Sequence, residues 1–221
     1  MNIILLGPPG SGKGTQTQRL CAQFGFQVIA TGDLVRKEIT AGSDIGRQIE
    51  SEVNAGRFPD DSVILGLVSQ TMSRQEVTAV GFIFDGMPRT LAQAEALDAM
   101  MKSRGDQIDG VIEFKVDEEA MVERMLSRLT CPSCSASYSE ANPSKVAGQC
   151  DRCGATLVRR KDDTRDAIVE RMRVYHEKTE PLIAYYSHQG KIVSLDGMES
   201  VEKVAKAIDD ALEKFKNSGA K

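Results

Sequence analysis

The chain has 221 residues, of which 41% are hydrophobic and 27% are charged. This length is sufficient for one substantial core and excludes a peptide hormone. Lys and Arg together number 28 against 32 Asp and Glu, so the net charge is −4. That balance disfavours a generic duplex-binding protein, because such proteins carry a surplus of basic residues. No apolar run reaches the roughly 18 residues that a membrane-spanning helix requires.

The first residues, Met1 to Leu6, have neither the charged segment nor the small-residue cleavage site of a signal peptide. We therefore expect a cytoplasmic protein that binds neither a membrane nor nucleic acid. In a reducing compartment, closely spaced cysteines indicate metal or redox chemistry more than structural disulfides.

Short apolar runs alternate with segments of helical period along most of the chain. The runs that we predict as strands are residues 2–6, 27–30, 81–84, 110–115 and 191–195. Since they are mostly uninterrupted by polar residues, they suit strands that are buried on both faces. This alternation predicts an α/β fold in which helices cover both faces of a doubly wound, five-stranded parallel sheet.

Two segments interrupt this alternation. Residues 31–60 indicate short helices with several glycines, and residues of about 130–163 are rich in Ser, Cys, Pro and Gly. Because neither segment could bury much apolar surface alone, we expect two small lobes inserted into the α/β body.

A glycine-rich segment, Gly7-Pro8-Pro9-Gly10-Ser11-Gly12-Lys13-Gly14-Thr15, follows the first predicted strand and precedes a helical stretch. Glycines allow successive backbone N–H groups to converge on phosphate oxygens, and the helix adds its positive N-terminal end. Lys13 supplies a mobile positive charge for the terminal phosphates. One departure from the usual pattern is Gly14, which stands between the lysine and Thr15. The segment predicts binding of a nucleoside phosphate.

Arginines occur where the body meets its inserts. Arginine suits phosphoryl transfer, because its planar guanidinium holds phosphate with two hydrogen bonds and stays charged. The candidates are Arg36, Arg89, Arg124, Arg128, Arg160 and Arg171. We predict one helix over residues 117–129, capped by Asp117, that places Arg124 and Arg128 on the same face.

Asp85 ends the third predicted strand, where open α/β sheets place ligand-binding groups. A carboxylate beside bound phosphates would orient a hydrated Mg²⁺. The alternative is a turn or capping aspartate.

Two Cys-x-x-Cys pairs, formed by Cys131 with Cys134 and by Cys150 with Cys153, are separated by fifteen residues. Four thiolates at this spacing can complete a tetrahedral Zn²⁺ site without an open position, so the site would be structural. Two disulfides or a metal-free lobe are the alternatives.

Four motifs together resemble the adenylate kinase family, in its bacterial form with a long, zinc-binding lid. They are the glycine-rich segment, Thr31-Gly32-Asp33 with Arg36, Asp85-Gly86-Met87-Pro88-Arg89-Thr90 with Gln93, and Arg160-Lys161-Asp162-Asp163 with Arg171. The resemblance covers essentially the whole chain. It implies the fold of the phosphate-loop nucleoside monophosphate kinases and Mg²⁺-dependent, reversible phosphoryl transfer from ATP to AMP, which gives two ADP.

The resemblance also implies a division of the chain into three parts. The body comprises residues 1–30, 61–127 and 165–221. An AMP-binding insert spans residues 31–60, which we call the first insert. A zinc-binding lid spans residues 128–164, which we call the second insert. A monomer is expected.

By position, the resemblance assigns roles to individual residues. The catalytic set is Lys13, Arg36, Arg89, Arg128, Arg160, Arg171 and Asp85. The ATP-binding set is Gly10, Ser11, Gly12, Lys13, Gly14, Thr15, Arg124, Arg128, Ser137, Tyr138 and Glu199. The AMP-binding set is Thr31, Arg36, Arg57, Phe58, Pro59, Gly86, Met87, Pro88, Arg89, Gln93, Arg160 and Arg171. Asp162 and Asp163 would tie the lid to the body.

Three residues depart from the pattern of the family. Met87 stands where Phe is usual, Phe58-Pro59 replaces a Leu-Val pair, and Lys161 replaces Glu or Ala. The Phe58-Pro59 change bears on recognition of the AMP base.

Other functions remain open from the sequence. The nearest is a kinase for UMP, CMP or GMP. More distant are a zinc-ribbon ATPase that binds nucleic acid and a redox sensor that uses the Cys-x-x-Cys pairs.

Overall fold

The computed structural model describes residues 1–74, 80–140 and 142–218. Its strands are β1 (Ile3–Leu6), β2 (Gln27–Ala30), β3 (Phe82–Asp85), β4 (Gly110–Lys115), β5 (Leu129–Thr130), β6 (Ser137–Tyr138) and β7 (Ile192–Asp196). Five of them form a parallel sheet in the order β2-β3-β1-β4-β7. These are the five predicted runs, and each is confirmed to within one residue at either end.

Helices occupy most of the remaining described chain. They are α1 (Lys13–Phe24), α2 (Thr31–Ala41), α3 (Asp44–Asn54), α4 (Asp61–Arg74), α5 (Leu91–Ser103), α6 (Glu118–Leu126), α7 (Arg165–Val174), α8 (Pro181–His188) and α9 (Val201–Ser218). A π-helical turn, Tyr175–Thr179, joins α7 to α8. Among the described residues, none of the helices combines the length and the apolar character needed to cross a bilayer.

Alternate residues of each central strand are buried in opposite layers. On β1, Ile3 and Leu5 face a core that includes residues of α1 and α9, whereas Ile4 and Leu6 face a core that includes residues of α4, α5 and α8. This arrangement follows from the period-two geometry of a strand with helices on both sides. The predicted doubly wound α/β fold is therefore confirmed.

The first insert consists mainly of α2 and α3. Val35 and Ile49, one on each helix, are buried in the same hydrophobic core as the sheet. Gly46 of α3 lies directly against the backbone of Glu38 in α2, where a side chain would collide. The two helices can therefore cross closely and still share the core of the body.

The second insert contains the short antiparallel pair of β5 and β6, and a further bridge joins Thr130 to Val158. This pairing corrects one prediction, because the helix expected to reach Leu129 ends at Leu126. Residues after the helix enter the insert and pair with β6. Arg124 and Arg128 therefore do not share a helix face.

Candidate active site

A cleft of about 1030 Å³ opens at the carboxyl ends of β1 and β3, between the body and the two inserts. All seven cationic side chains singled out in the sequence line it, although they come from segments far apart in the chain. They are Lys13, Arg36, Arg89, Arg124, Arg128, Arg160 and Arg171. Such a concentration of positive charge in one cavity favours a ligand with several phosphate groups.

The glycine-rich segment forms the loop between β1 and α1. Gly12 precedes α1 with a φ of 92°, and Gly10 has a φ of 81°. A Cβ atom at Gly10 would lie 2.7 Å from Cγ of Met125, so a larger residue would collide with α6. The loop thus needs glycine for its backbone conformation and for its contact with α6. The predicted ATP residues of this loop from Gly10 to Thr15 all line the cleft.

The Lys13 ammonium folds back over this loop. Its Nζ donates to the carbonyl oxygens of Gly7 and Pro8, each at 2.8 Å, and to Ser11 Oγ at 3.1 Å. Burial, which Asp85 opposes and the guanidiniums of Arg89 and Arg128 reinforce, lowers the pKa of Lys13 to about 8. A bound polyanion would offset this desolvation, so the ammonium is placed to move onto phosphate oxygens.

Asp85 lies at the end of β3 and lines the same cleft. Its Oδ2 accepts a hydrogen bond of 3.2 Å from Thr17 Oγ1 on α1. Burial raises the pKa of Asp85, while Lys13 and Thr17 oppose that rise. The carboxylate therefore faces the phosphate loop, which favours a ligand-binding role over the turn or capping role.

Arg89 is held at the junction of the body and the first insert. Its Nε donates to the carbonyl of Gly86 at 2.7 Å, and Thr31 Oγ1 donates to the same carbonyl at 2.7 Å. The guanidinium lies over the ring of Phe58, with its Cζ 4.7 Å from the ring centroid. Burial and the neighbouring Arg171 lower the pKa of Arg89 to about 10. Phe58 thus contributes a cation–π contact that orients the arginine.

Acidic residues of the second insert hold two of the arginines. Arg128 Nε and Nη2 donate to the two carboxylate oxygens of Asp163 at 2.8 and 2.5 Å. Arg171, on α7 of the body, pairs with Asp162. Burial acts to raise the pKa of Asp162, but the guanidiniums of Arg171 and Arg160 outweigh it and the pKa is lowered. The Asp162 pair therefore joins the second insert to the body.

Arg160 has a different environment, because its Nε donates to Thr130 Oγ1 at 3.0 Å. Burial, with help from Arg128 and Arg36, lowers the pKa of Arg160 to about 9. Arg36 pairs with Asp33 on α2. The guanidiniums of Arg128 and Arg36 thus disfavour the charged form of Arg160, as expected of a site built to receive an anion.

A second cavity of about 60 Å³ continues the cleft into the first insert. It is lined by several of the predicted AMP residues, namely Thr31, Arg36, Arg57, Phe58, Pro59, Gly86, Arg89, Gln93 and Arg171. Pro88 lines the larger cleft, whereas Met87 is buried in the core of the body. Met87 therefore supports the wall of the cavity and lines neither space.

The four cysteines of the second insert form one cluster in which all Sγ atoms lie within 4.8 Å of one another. Individual Sγ–Sγ distances are 3.4 Å for Cys131–Cys153, 3.5 Å for Cys134–Cys150 and 3.8 Å for Cys134–Cys153. Four thiolates around Zn²⁺ at about 2.3 Å would lie about 3.8 Å apart. The donor set and its spacing therefore fit a tetrahedral zinc ion.

Two predicted ATP residues lie beside this cluster. Ser137 and Tyr138 line the cleft, as does Glu199. The Tyr138 hydroxyl, however, lies 3.5 Å from Cys150 Sγ and accepts from the backbone N–H of Asp151 at 2.8 Å. This hydroxyl therefore contacts one of the four clustered cysteines.

Several residues at the site were missed in the sequence. Gln18 of α1 donates to the carbonyl of Ser135 at 3.1 Å and accepts from Arg152 Nη1 at 2.9 Å. Both partners belong to the turns that carry the cysteine pairs. Thr179, in the π-helical turn, donates to the carbonyl of Arg89 at 2.9 Å. The position of Arg152 between Cys150 and Cys153 was a usable signal, whereas no pattern marked Gln18 or Thr179.

The chain is similar to known adenylate kinases over nearly its whole length. The family model described as adenylate kinase matches residues 5–191. An adenylate kinase of Rhizobium rhizogenes is 44% identical over 97% of this chain and 100% of its own length. An adenylate kinase of Fervidobacterium nodosum is 45% identical over 97% of this chain and 99% of its own length. An adenylate kinase of Archaeoglobus fulgidus is 43% identical over 98% of this chain and 100% of its own length. The chain therefore belongs to the adenylate kinase family of nucleoside monophosphate phosphotransferases.

Proposed function

We propose that the chain catalyses the reversible, Mg²⁺-dependent transfer of the terminal phosphoryl group of ATP to AMP, giving two ADP. In this proposal the body holds both nucleotides, and both inserts close over them: the first insert (31–60) over AMP and the second insert (128–164) over ATP. A cytoplasmic location and a monomeric state stay predictions from the sequence.

One observation carries the proposal: Lys13 and six guanidiniums surround a single cleft that extends into a second, smaller cavity. The cleft begins at the phosphate loop, and the smaller cavity lies under the first insert. Two mononucleotides placed with their phosphates facing each other would bring the combined negative charge to the middle, where the guanidiniums meet.

The ATP half uses the loop from Gly10 to Thr15, with Arg124, Arg128, Ser137, Tyr138 and Glu199 along the same wall. Backbone N–H groups of the loop and the start of α1 would bind the phosphates, and Lys13 would leave the loop carbonyls to neutralise the terminal groups. Arg124 is proposed to stack on the adenine.

The AMP half uses the first insert and the segment after β3. Thr31, Gln93, Arg57, Phe58 and Pro59 line the base cavity, while Arg36, Arg89 and Arg171 lie where its phosphate would enter the cleft. In the transfer step, an oxygen of the AMP phosphate attacks the terminal phosphorus of ATP. The bond from that phosphorus to the bridging oxygen breaks, and ADP leaves.

The cations favour this step because charge spreads over the migrating group and over the leaving oxygen. Closure of the second insert through Asp162 and Asp163 would bring Arg128 and Arg160 onto the phosphates and exclude water. Water exclusion matters, because an open site would hydrolyse ATP instead of phosphorylating AMP.

Two metal ions fit the residues present. The half-buried carboxylate of Asp85, which accepts from the Thr17 hydroxyl and lines the cleft, offers the oxygen ligands that Mg²⁺ prefers. When bound, Mg²⁺ would neutralise phosphate charge and help to align ATP. The cluster of Cys131, Cys134, Cys150 and Cys153 would hold Zn²⁺ in a structural role, since four protein ligands leave no position for a substrate.

The test is a coupled assay of ADP formation with ATP and each of AMP, GMP, CMP and UMP in turn. We expect the highest kcat/KM with AMP and two molecules of ADP formed for each ATP consumed. A higher kcat/KM with another monophosphate would assign the chain to that substrate instead. Hydrolysis of ATP without a monophosphate requirement would contradict the proposal.

A further inference from the structure

The side-chain amide of Gln93 is held at both of its ends. Gln93 lies in the first turn of α5, is only 1% exposed and lines the smaller cavity. Its Oε1 accepts from the backbone N–H of Arg89 at 2.8 Å, and its Nε2 donates to Asp61 Oδ1 at 2.6 Å. These partners fix which end of the amide is oxygen and which is nitrogen.

Asp61 is itself fixed by the start of α5. Its second oxygen, Oδ2, accepts from Thr90 Oγ1 at 2.8 Å. Thr90 is the N-cap residue of α5, and its Oγ1 accepts from the backbone N–H of Gln93 at 3.1 Å. Asp61, Thr90 and Gln93 therefore form a closed ring of hydrogen bonds between α4 and α5, and each member restrains the next.

Reversal of the Gln93 amide would be unfavourable at both ends. The carbonyl oxygen would then face the Asp61 carboxylate, and the NH₂ group would face the N–H of Arg89. Two hydrogen bonds would be lost and two repulsive contacts would replace them. An amide has two N–H donors and two acceptor positions, so the described contacts leave one donor and one acceptor for a ligand.

We propose that Asp61 is a positioning residue for base selection, because it holds Gln93 in the orientation that accepts adenine and rejects guanine. The inference rests on the proposed binding of AMP at this cavity. Adenine presents an amino N–H at position 6, which the fixed oxygen of Gln93 can accept, beside a ring nitrogen that its N–H can reach. Guanine presents a carbonyl oxygen at position 6, with the opposite polarity.

The same hydrogen-bonding pattern distinguishes cytosine from uracil. Cytosine carries an amino group on the corresponding edge and uracil carries a carbonyl oxygen, as thymine does. The orientation set by Asp61 therefore disfavours bases with a carbonyl group on this edge. A site built to hydrogen-bond a substrate rejects a mismatched one because its own polar groups are left unpaired.

The test compares Asp61→Asn with Asp60→Asn. The first substitution keeps the shape of the side chain, but an amide can present either oxygen or nitrogen to Gln93, so the Gln93 amide can reverse. Asp60 is the matched control, because it also lies at the start of α4 but bonds Ser62 and not Gln93. We measure kcat and KM for AMP and GMP with ATP as donor, on the same sample of each protein.

We expect Asp61→Asn to raise the kcat/KM for GMP relative to AMP by about 10-fold, mainly through a higher KM for AMP, with the KM for ATP unchanged. Asp60→Asn is expected to keep the ratio of the parent protein. Because the ratio compares two substrates on one sample, a lower folded fraction does not change it. Thr90→Val, which removes the anchor of Asp61, is expected to move the ratio in the same direction.

An unchanged ratio in both Asp61→Asn and Thr90→Val would overturn the inference, as would an equal change in Asp60→Asn. These results differ from a failure of the proposed function. In that case the parent protein itself would show no preference for AMP.

Discussion

The first insert shares the hydrophobic core of the body, whereas the second insert has a small core of its own. Val35 and Ile49 of the first insert are buried in the same cluster as Ile4 and Phe84 of the sheet. Among its described residues, the second insert has a hydrophobic cluster of five buried residues, namely Cys131, Ala136, Tyr138, Cys150 and Leu157, two of which belong to the group of four cysteines.

The connections to the body differ in the same way. The second insert reaches the body through polar contacts, the Arg171–Asp162 pair and the hydrogen bonds of Gln18. Apolar burial is not directional, while hydrogen bonds and ion pairs can break and re-form at small net cost. We infer that the second insert can open and close as a unit around the proposed zinc ion.

Removal of the proposed zinc ion is expected to give the largest difference between the inserts. Structural zinc sites contribute roughly 10–16 kcal/mol of binding free energy, which is also folding free energy. Chelation, or Cys150→Ser, should therefore abolish hydrogen-exchange protection in residues 128–164 and leave residues 31–60 protected. Cys21→Ser, outside the cluster, is the control. Equal loss of protection in both inserts would contradict the expectation that only the second insert depends on zinc for its folding.

Arginines from the two inserts should also have different kinetic effects. Arg160→Ala removes a cation proposed to contact the migrating group, so kcat should fall by about 10²–10³-fold. Arg36→Ala removes a group proposed to bind AMP, so the KM for AMP should rise about 10-fold with a smaller change in kcat. Steady-state kinetics separate the two effects. A large fall in kcat for Arg36→Ala, together with a higher KM for AMP in Arg160→Ala, would contradict these roles of the two arginines.

Matched core truncations test the shared core. Ile49→Ala in the first insert should lower the free energy of unfolding of the whole protein by about 2–4 kcal/mol, because its cavity opens in the core of the sheet. Leu157→Ala should reduce protection within the second insert and leave the global transition in urea unchanged. A global loss from Leu157→Ala would show that the small core is coupled to the body.

The Arg171–Asp162 pair tests how the second insert is joined to the body. Asp162→Asn should cost about 2 kcal/mol at pH 7, because a nearly buried guanidinium loses the closer of its two carboxylate partners and keeps only Asp163 at 3.6 Å. The pKa of Asp162 is lowered in the folded protein. The stabilisation is thus fully present above the unfolded pKa of about 3.9 and is lost as the pH falls through the lower folded value.

Urea unfolding of the parent protein and of Asp162→Asn between pH 7 and pH 3 measures the difference in their free energies of unfolding. It should stay constant down to about pH 5 and shrink only near and below pH 4. If the difference in free energy of unfolding disappeared near pH 6, the stabilisation would come from a titrating group other than Asp162.

The smallest expected effect comes from Gln18. Gln18→Ala removes the hydrogen bonds from α1 to Ser135 and Arg152, which are worth about 1 kcal/mol in total. Exchange of amide hydrogens in the second insert should accelerate about fivefold, with no change in the first insert. Gln23→Ala, on the same helix but bonded to Arg19, is the control. Similar acceleration in both variants would show that the hydrogen bonds of Gln18 do not specifically hold the second insert on α1.

Local patterns were sufficient to predict most of the fold. The apolar runs of the sheet and the phosphate loop depend on neighbouring residues, so their positions were predictable. The end of α6 was not, because Leu129 and Thr130 leave the helical pattern only to pair with Ser137 and Tyr138. Helical propensity contains no information about a partner strand that occurs later in the chain.

The candidate site was predictable where charge and motif coincide. Lys13 and the arginines lie in recognisable motifs, and the structure gathers them in one cleft. The ring of Asp61, Thr90 and Gln93 was not visible, because Asp61 looks like any acidic residue at the start of a helix. Its role depends on the packing of α4 against α5, which no local pattern specifies.

The most direct test of the proposed reaction is whether two nucleotides bind in the cleft at the same time. Isothermal titration calorimetry would follow binding of a non-hydrolysable β,γ-imido analogue of ATP, with Mg²⁺, to protein that is already saturated with AMP. We expect one analogue to bind per chain, with an affinity equal to or higher than in the absence of AMP. Displacement of AMP by the analogue, or no binding of AMP at all, would contradict a cleft that holds both nucleotides together.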